Sequence, residues 1–324
     1  MNYQVNLVTE NELNSVIELN KTALDQWKHY DYDTGFTSDA NWEDLTIYER
    51  WMHGGPRCDV ITFNIHFNII NSIGKIFCLS DSQGNIIGDI EYIVEKNQFT
   101  KIPCAYLLWI FIHPNHRRTG AGQFLLLNSI KKLQEEIPEI HSIDSITNIP
   151  EIKALLTKLK FNKANIVFET TIDIKNFRST HESFDIITII SNAEDNILKS
   201  CNWGQYSLPT NYILLWLKNM TKYVDAISNH HFKPVSLKQI IINQESIYFA
   251  YDSQLYLWIP YKYRFNTPFL ELVFDNVIRV IKEENPDKAT LIMHCSFGER
   301  QELSTLGYPI ENSIKNDYLR LLLV

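Results

Sequence analysis

The run His113-Pro-Asn-His-Arg-Arg-Thr-Gly-Ala-Gly-Gln123 places two arginines and two glycines between two apolar segments, Tyr106–Ile112 and Phe124–Leu127. A surface turn needs one glycine at most and no arginine pair. A strand feeding a helix through such a turn makes an anion site. The first helical N–H groups have no internal partner, and the helix dipole adds positive potential there. Gly120 and Gly122 remove Cβ atoms that would hold an anion away, and they permit left-handed backbone. Arg117 and Arg118 supply delocalised charge suited to a pyrophosphate or a ribose phosphate. The expected cradle is the main chain of Arg117, Arg118, Thr119, Gly120, Ala121 and Gly122.

Two common phosphate motifs fail at defined positions. No lysine followed by a hydroxyl residue closes the turn as a P-loop requires, and Leu125 stands where a dinucleotide fingerprint needs its third glycine. Proton chemistry has other candidates. Asp89 and Glu91 fall on one face of their strand by the two-residue period, free to act as a base or to pair with a cation. His113 and His116 flank the turn, and His53 lies in the glycine-bearing stretch Glu49–Pro56. Cys58 and Cys104 have no sequence neighbour that would lower a thiol pKa and read as packed thiols. His230-His231 lacks a second ligand pair at helical spacing, so no metal site is expected.

These residues need elements to hold them. Tyr3–Val8 alternates as a strand, and Thr9 caps a helix carrying Leu13, Val16, Ile17 and Leu19. Gln26–Asp59 reads as irregular and aromatic. Lys75–Ser80 and Ile86–Val94 form a hairpin, and Tyr106–Ile112 is an interior strand. Leu126, Ile130, Leu133 and Ile137 give the following helix one apolar face, ended by Pro138. A strand near Ile143–Thr147, a helix over Glu151–Leu159 and strands within Phe161–Ile174 complete the series. Asp173–Ser183 is the polar linker. Beyond it Leu257-Trp-Ile echoes Leu108-Trp-Ile, Pro286 echoes Pro138, and Leu306-Gly-Tyr308 echoes Leu159-Lys-Phe161. Landmarks in one order at nearly constant offset point to a diverged duplication.

With Arg117-x-x-Gly120-x-Gly122 directly after a strand ending in Ile112-His-Pro114, the first 174 residues resemble the GNAT acetyltransferase superfamily. In that family this loop binds the pyrophosphate of coenzyme A. The resemblance implies that Phe111 and Ile112 present main chain to the pantetheine arm, that Asn148 lies near it, and that Asp89 or Glu91 serves as base. Relatives often carry an acid tyrosine in a Leu-Tyr-x-x-x-Gly-Phe context. Here Leu156 replaces that tyrosine and Lys160 the glycine, which leaves a non-catalytic acyl-CoA-binding or interaction protein as the alternative. In the second half Thr267, Pro268 and Leu270 match Thr119, Gly120 and Gly122. Proline has no N–H to offer, and leucine is expected to fill the anion's space.

The fold class expected is α/β: two GNAT-like domains, each a mostly antiparallel mixed sheet flanked by helices, over 1–175 and 184–324 with a linker at 176–183. The expected activity is transfer of acetyl from acetyl-CoA to a small-molecule or peptide amine, in the N-terminal domain, without a metal. The formal charge of −8 argues against a general nucleic-acid partner. The polar start and the lack of an apolar run of about 18 residues predict a cytoplasmic protein with no membrane partner, as monomer or homodimer.

Overall fold

The computed structural model describes residues 2–24, 26–96, 102–179, 186–188, 194–203, 208–233, 235–252 and 254–323. The chain begins with β1 (Gln4–Leu7). A reciprocal capping box between Thr9 and Glu12 then leads it into α1 (Leu13–Lys21), which buries Leu13, Val16, Ile17 and Leu19. The next stretch is more regular than its sequence predicts. β2 (Trp27–Asp31) and β3 (Gly35–Ala40) pair as a hairpin, and α2 (Ile47–Gly54) starts on a second capping box, Thr46 with Glu49. Its aromatics hide the alternation because they serve a local cluster, in which Tyr30 packs edge-on against Phe36 and Tyr48.

α3 (Val60–Ile73) is capped by Asp59, whose carboxylate accepts from Ile61 N–H at 2.8 Å. There follow β4 (Gly74–Ser80), β5 (Ile86–Lys96), β6 (Pro103–Ile112), α4 (Ala121–Glu136), β7 (Ser142–Thr147), α5 (Pro150–Lys158) and β8 (Asn162–Asp173). The expected linker lies partly outside the described residues. After it come β9 (Ile186–Thr188), α6 (Glu194–Lys199), β10 (Cys201–Trp203), α7 (Thr210–Lys218), α8 (Met220–Ile227), β11 (Lys238–Ile242), β12 (Glu245–Tyr251), β13 (Leu255–Ile259), α9 (Thr267–Glu284), β14 (Thr290–Ser296), α10 (Phe297–Thr305) and β15 (Ile310–Leu322).

The architecture is mixed α/β around a large mixed sheet. Its eight strands run β1-β4-β5-β6-β7-β15-β8-β14, antiparallel except for β6 beside β7. A second sheet, β10-β13-β12-β11-β9, is antiparallel throughout. The expectation of one sheet per half needs correction here, because β15 lies between β7 and β8 and pairs with both. Without it the facing edges of β7 and β8 would keep their main-chain groups unpaired.

Two apolar layers cover the large sheet. On one face α4 lays Ala121, Leu125, Leu126, Ile130 and Leu133 against Phe77, Ile90 and Leu107. On the other, α1 and α3 share a cluster with Tyr212, Met220, Tyr223 and Ile227 of α7 and α8. Among the described residues no helix is long and apolar enough to cross a membrane.

Candidate active site

β6 is where the sheet opens. Its parallel pairing with β7 covers Cys104, Ala105 and Tyr106, opposite Ser142, Ile143 and Asp144, and stops there. Beyond that point β7 pairs only with β15, out to Thr147 opposite Asp317, and β6 only with β5. A bulge helps the strands diverge: Tyr92 faces Leu107 and Glu91 faces Trp109, so Leu108 is the extra residue. At the far end His113 N–H donates to Ile87 O at 2.9 Å. The alternation of an antiparallel ladder then turns the N–H and C=O of Ile110 and Ile112 toward the open edge and those of Phe111 toward β5.

The turn after β6 begins with a 3-10 turn, Pro114–His116, capped by His113, whose Nδ1 accepts from Asn115 N–H at 3.2 Å. Arg117 N–H closes that turn on Pro114 O. The Arg117 side chain bends back, its Nε donating to Ile112 O at 3.1 Å and its guanidinium lying over the Phe111 ring. Two left-handed residues follow, Arg118 (φ 62°) and Gly120 (φ 91°). Alternating such residues with ordinary ones turns successive N–H groups to one side, the geometry of an anion nest. The first main-chain donor of α4 is Phe124, to Gly120 O at 3.0 Å. Among the described residues, then, the N–H groups of 118–123 bond no main-chain carbonyl. Gly120 is exposed with open space where a Cβ would stand, and at Gly122 a Cβ would reach Ile112 and Leu155 at an ordinary 3.6 Å. Neither Arg117 nor Arg118 pairs with a carboxylate among the described residues.

The two carboxyls on β5 have opposite environments. Both are fully buried on the α1–α3 face. Arg57 grips Glu91 with both ends of its fork, Nε at 2.8 Å and Nη2 at 2.5 Å, and His66 Nε2 lies 3.0 Å from the same carboxylate. Burial alone would raise Glu91, yet Arg57 and then His66 hold it at about 2. Asp89 has neither Arg57 nor His66 as a direct partner and no hydrogen bond of ordinary geometry, although Asn20 and Trp109 lie near enough to bias it. Burial, then the charge of Glu91, lifts it to about 8. Arg57 also stacks on Trp109, 4.6 Å to the ring, and Trp109 on Phe111. A continuous column thus runs from the buried ion pair to the turn after β6.

The remaining sequence candidates have these surroundings. Asn148 is exposed at the end of β7. His53 Nε2 is locked to the Lys28 main chain, 2.8 Å from its carbonyl oxygen. Cys58 and Cys104 are buried, and burial pushes the Cys58 thiol up to about 11. His231 stacks on Tyr32, and no group of three metal-ligating residues occurs among the described residues. Leu156 is fully buried in the α4 layer.

A second strand shows the same parting with a different outcome. β13 meets β14 through a parallel bridge, Gln254 to Ile292. Farther along that edge Leu257, Trp258 and Ile259 stand opposite Trp203, Asn202 and Cys201 of β10 instead. Trp203 is fully buried, and its indole N–H donates to Arg264 O at 2.8 Å. The turn into α9 has no left-handed residue. Helical geometry begins at Thr267, two places ahead of the residue matching Ala121 of α4, with Asn266 as the cap; its side chain accepts from Phe269 N–H at 3.0 Å. That shift of phase buries Leu270 against the sheet instead of in the turn, so leucine does not fill an anion's space there. No sequence signal foretold β10.

Residues 36–157 match the Acetyltransferase (GNAT) family, a span that includes the bulged strand, the turn and α4. No curated protein matches the chain in sequence. Among solved structures, a putative acetyltransferase from Pyrococcus horikoshii aligns over 99% of this chain and 90% of its own, at TM-score 0.55 and 9% identity. A GCN5-related N-acetyltransferase from Kribbella flavida aligns over 99% and 71%, at 0.61 and 10%. A tandem GNAT protein from the clavulanic acid biosynthesis pathway aligns over 99% and 98%, at 0.51 and 8%. At such identities these likenesses concern the fold, and they extend over both halves.

Proposed function

We propose that this chain, a GNAT-superfamily acetyltransferase by its match over residues 36–157, moves acetyl from acetyl-CoA to an amine at the parting of β6 and β7. One observation carries the reading: the N–H groups of 118–123 at the mouth of α4 bond no main-chain carbonyl among the described residues, beside a strand edge that β7 has left. Bound acetyl-CoA supplies the activated thioester. The N–H groups of residues 118–123, with Arg118, take the pyrophosphate charge. Ile110 and Ile112 offer main chain to the arm, while Arg117 and Phe111 shape the wall. Asn148 borders the opening.

The acceptor nitrogen forms a bond to the acyl carbon as the C–S bond breaks, and its proton needs an acceptor. Asp89 is that group in this reading, because Glu91 is committed to its ion pair with Arg57 and its hydrogen bond with His66. The departing thiolate takes its proton from solvent, since buried Leu156 has none to give. In the second half, β10 stands along the edge of β13. There Pro268 lacks an N–H and Asn266 has used another. Residues 184–324 are accordingly read as a degenerate GNAT-like domain that takes no coenzyme.

A thermal-shift titration tests the loop. Acetyl-CoA at 100 times its Kd should stabilise the chain by about 2.7 kcal/mol. Gly122→Leu should abolish the shift while leaving the unliganded melting temperature near that of wild type, since a Cβ fits there. Undiminished binding by that variant would remove the loop from the site. Thiol release with a panel of amines then separates an enzyme from a protein that only binds acyl-CoA.

A further inference from the structure

We propose that Tyr3 is a positioning residue for coenzyme binding, acting through Thr119 on the anion turn. The inference rests on the reading of residues 118–123 given above.

Thr119 lies between the two left-handed residues, Arg118 and Gly120. Its hydroxyl donates to His116 O at 2.7 Å. With that proton committed, the 3.0 Å contact between Tyr3 Oη and Thr119 Oγ1 has one polarity: Tyr3 donates and Thr119 accepts. The Tyr3 ring also packs on Phe124, centroids 5.6 Å apart, in the first turn of α4. Tyr3 therefore touches the turn on both sides of Gly120, from the lead-in to β1 and across 116 positions of sequence.

The turn has reason to need an outside hold. A left-handed non-glycine residue costs roughly 1–2 kcal/mol, and six donors left without main-chain partners favour any rearrangement that pairs them. Three hydroxyl and guanidinium bonds oppose that drift: Thr119 to His116, Tyr3 to Thr119, and Arg117 to Ile112. Arg117 and Thr119 are part of the turn itself. Tyr3 belongs to another element and makes no use of the turn's own N–H groups, so it can hold the nest open without occupying it. A preformed nest has less ordering to do on binding.

A double-mutant cycle read by calorimetric titration with coenzyme A tests this. Tyr3→Phe keeps the ring on Phe124 and deletes only the donor; Thr119→Val deletes the acceptor. Each should weaken coenzyme A about three- to tenfold, and the double variant should be no worse than the poorer single one. Thr119→Ser should restore wild-type affinity. In Tyr3→Phe, turnover at saturating acetyl-CoA and the unliganded melting temperature should not move, which a merely structural role would not predict. Wild-type affinity in Tyr3→Phe, or additive losses, would overturn the proposal. Gly122→Leu, run alongside, separates the two ideas: if it abolishes binding while Tyr3→Phe has no effect, the loop reading stands and Tyr3 has no part in it. If wild type itself fails to bind coenzyme A, both fall.

Discussion

Two carboxyls spaced two residues apart on one strand face carry different assignments because their neighbours differ. Glu91 is held at about 2 by Arg57 and His66, so its contribution to stability is present above the ordinary carboxylate range and is lost as pH falls toward 2. Removing it would leave Arg57 buried without a partner, and Glu91→Ala should cost about 3–5 kcal/mol in denaturant unfolding. Asp89 has the opposite sign. Its pKa is raised to about 8, so the stability it contributes is complete below the unfolded value and is lost as pH climbs through 8. Asp89→Asn should therefore melt above wild type, by a margin that widens from pH 5 to pH 8 and then levels off, while acyl transfer falls. A melting temperature below wild type at pH 8 would show that Asp89 is held as an anion by a partner. A gain in stability bought with lost turnover is the pattern of a functional group.

Among the elements, local backbone shape proves more durable than residue identity. Lys160 replaces a glycine expected from family resemblance, yet it keeps the glycine conformation at φ 67°. Lys160 N–H bonds Thr157 O and Phe161 N–H bonds Leu156 O, closing α5 as a Schellman motif. Lys160→Gly should raise the unfolding free energy measured in urea by about 0.5–1 kcal/mol once the added freedom of the unfolded chain is offset. The two helix-entry turns differ in the same currency. The first carries left-handed residues and a run of open donors; the second has no left-handed residue, loses two donors to Pro268 and the capped Phe269, and faces a strand edge already paired with β10. Titration calorimetry with coenzyme A should give one site per chain, and a second site of comparable affinity would refute the degenerate reading of residues 184–324.

At the scale of the molecule the halves interlock. β15 supplies the strand between β7 and β8, and Arg320 grips Asp144 of β7 with a two-pronged bond at 2.6 and 2.8 Å. Tyr212 and Tyr223 complete the apolar layer over α3. The start of α7 rests on Glu95 of β5, whose carboxyl accepts weakly from Asn211 N–H at 3.4 Å and is lifted by burial to about 7. A chain cut after residue 175 loses all of these at once. It should lack cooperative unfolding and bind no coenzyme A; a monodisperse fragment with a sharp transition and wild-type affinity would contradict that.

Read alone, the sequence determined whatever depends on near neighbours. The strand, turn and helix from Tyr106 to Ile137, the hairpin before them and the open main chain of the turn at residues 117–122 follow from periodicity, glycine placement and the lack of internal partners at a helix start, all properties of a few adjacent residues. Tertiary structure decided the rest. Glu91 and Asp89 could not be told apart without Arg57 and His66, which lie 34 and 25 positions from Glu91. Nor could β10 or β15 be assigned their neighbours, because strand pairing is chosen by which edges remain open after the chain has folded, and no local pattern records that.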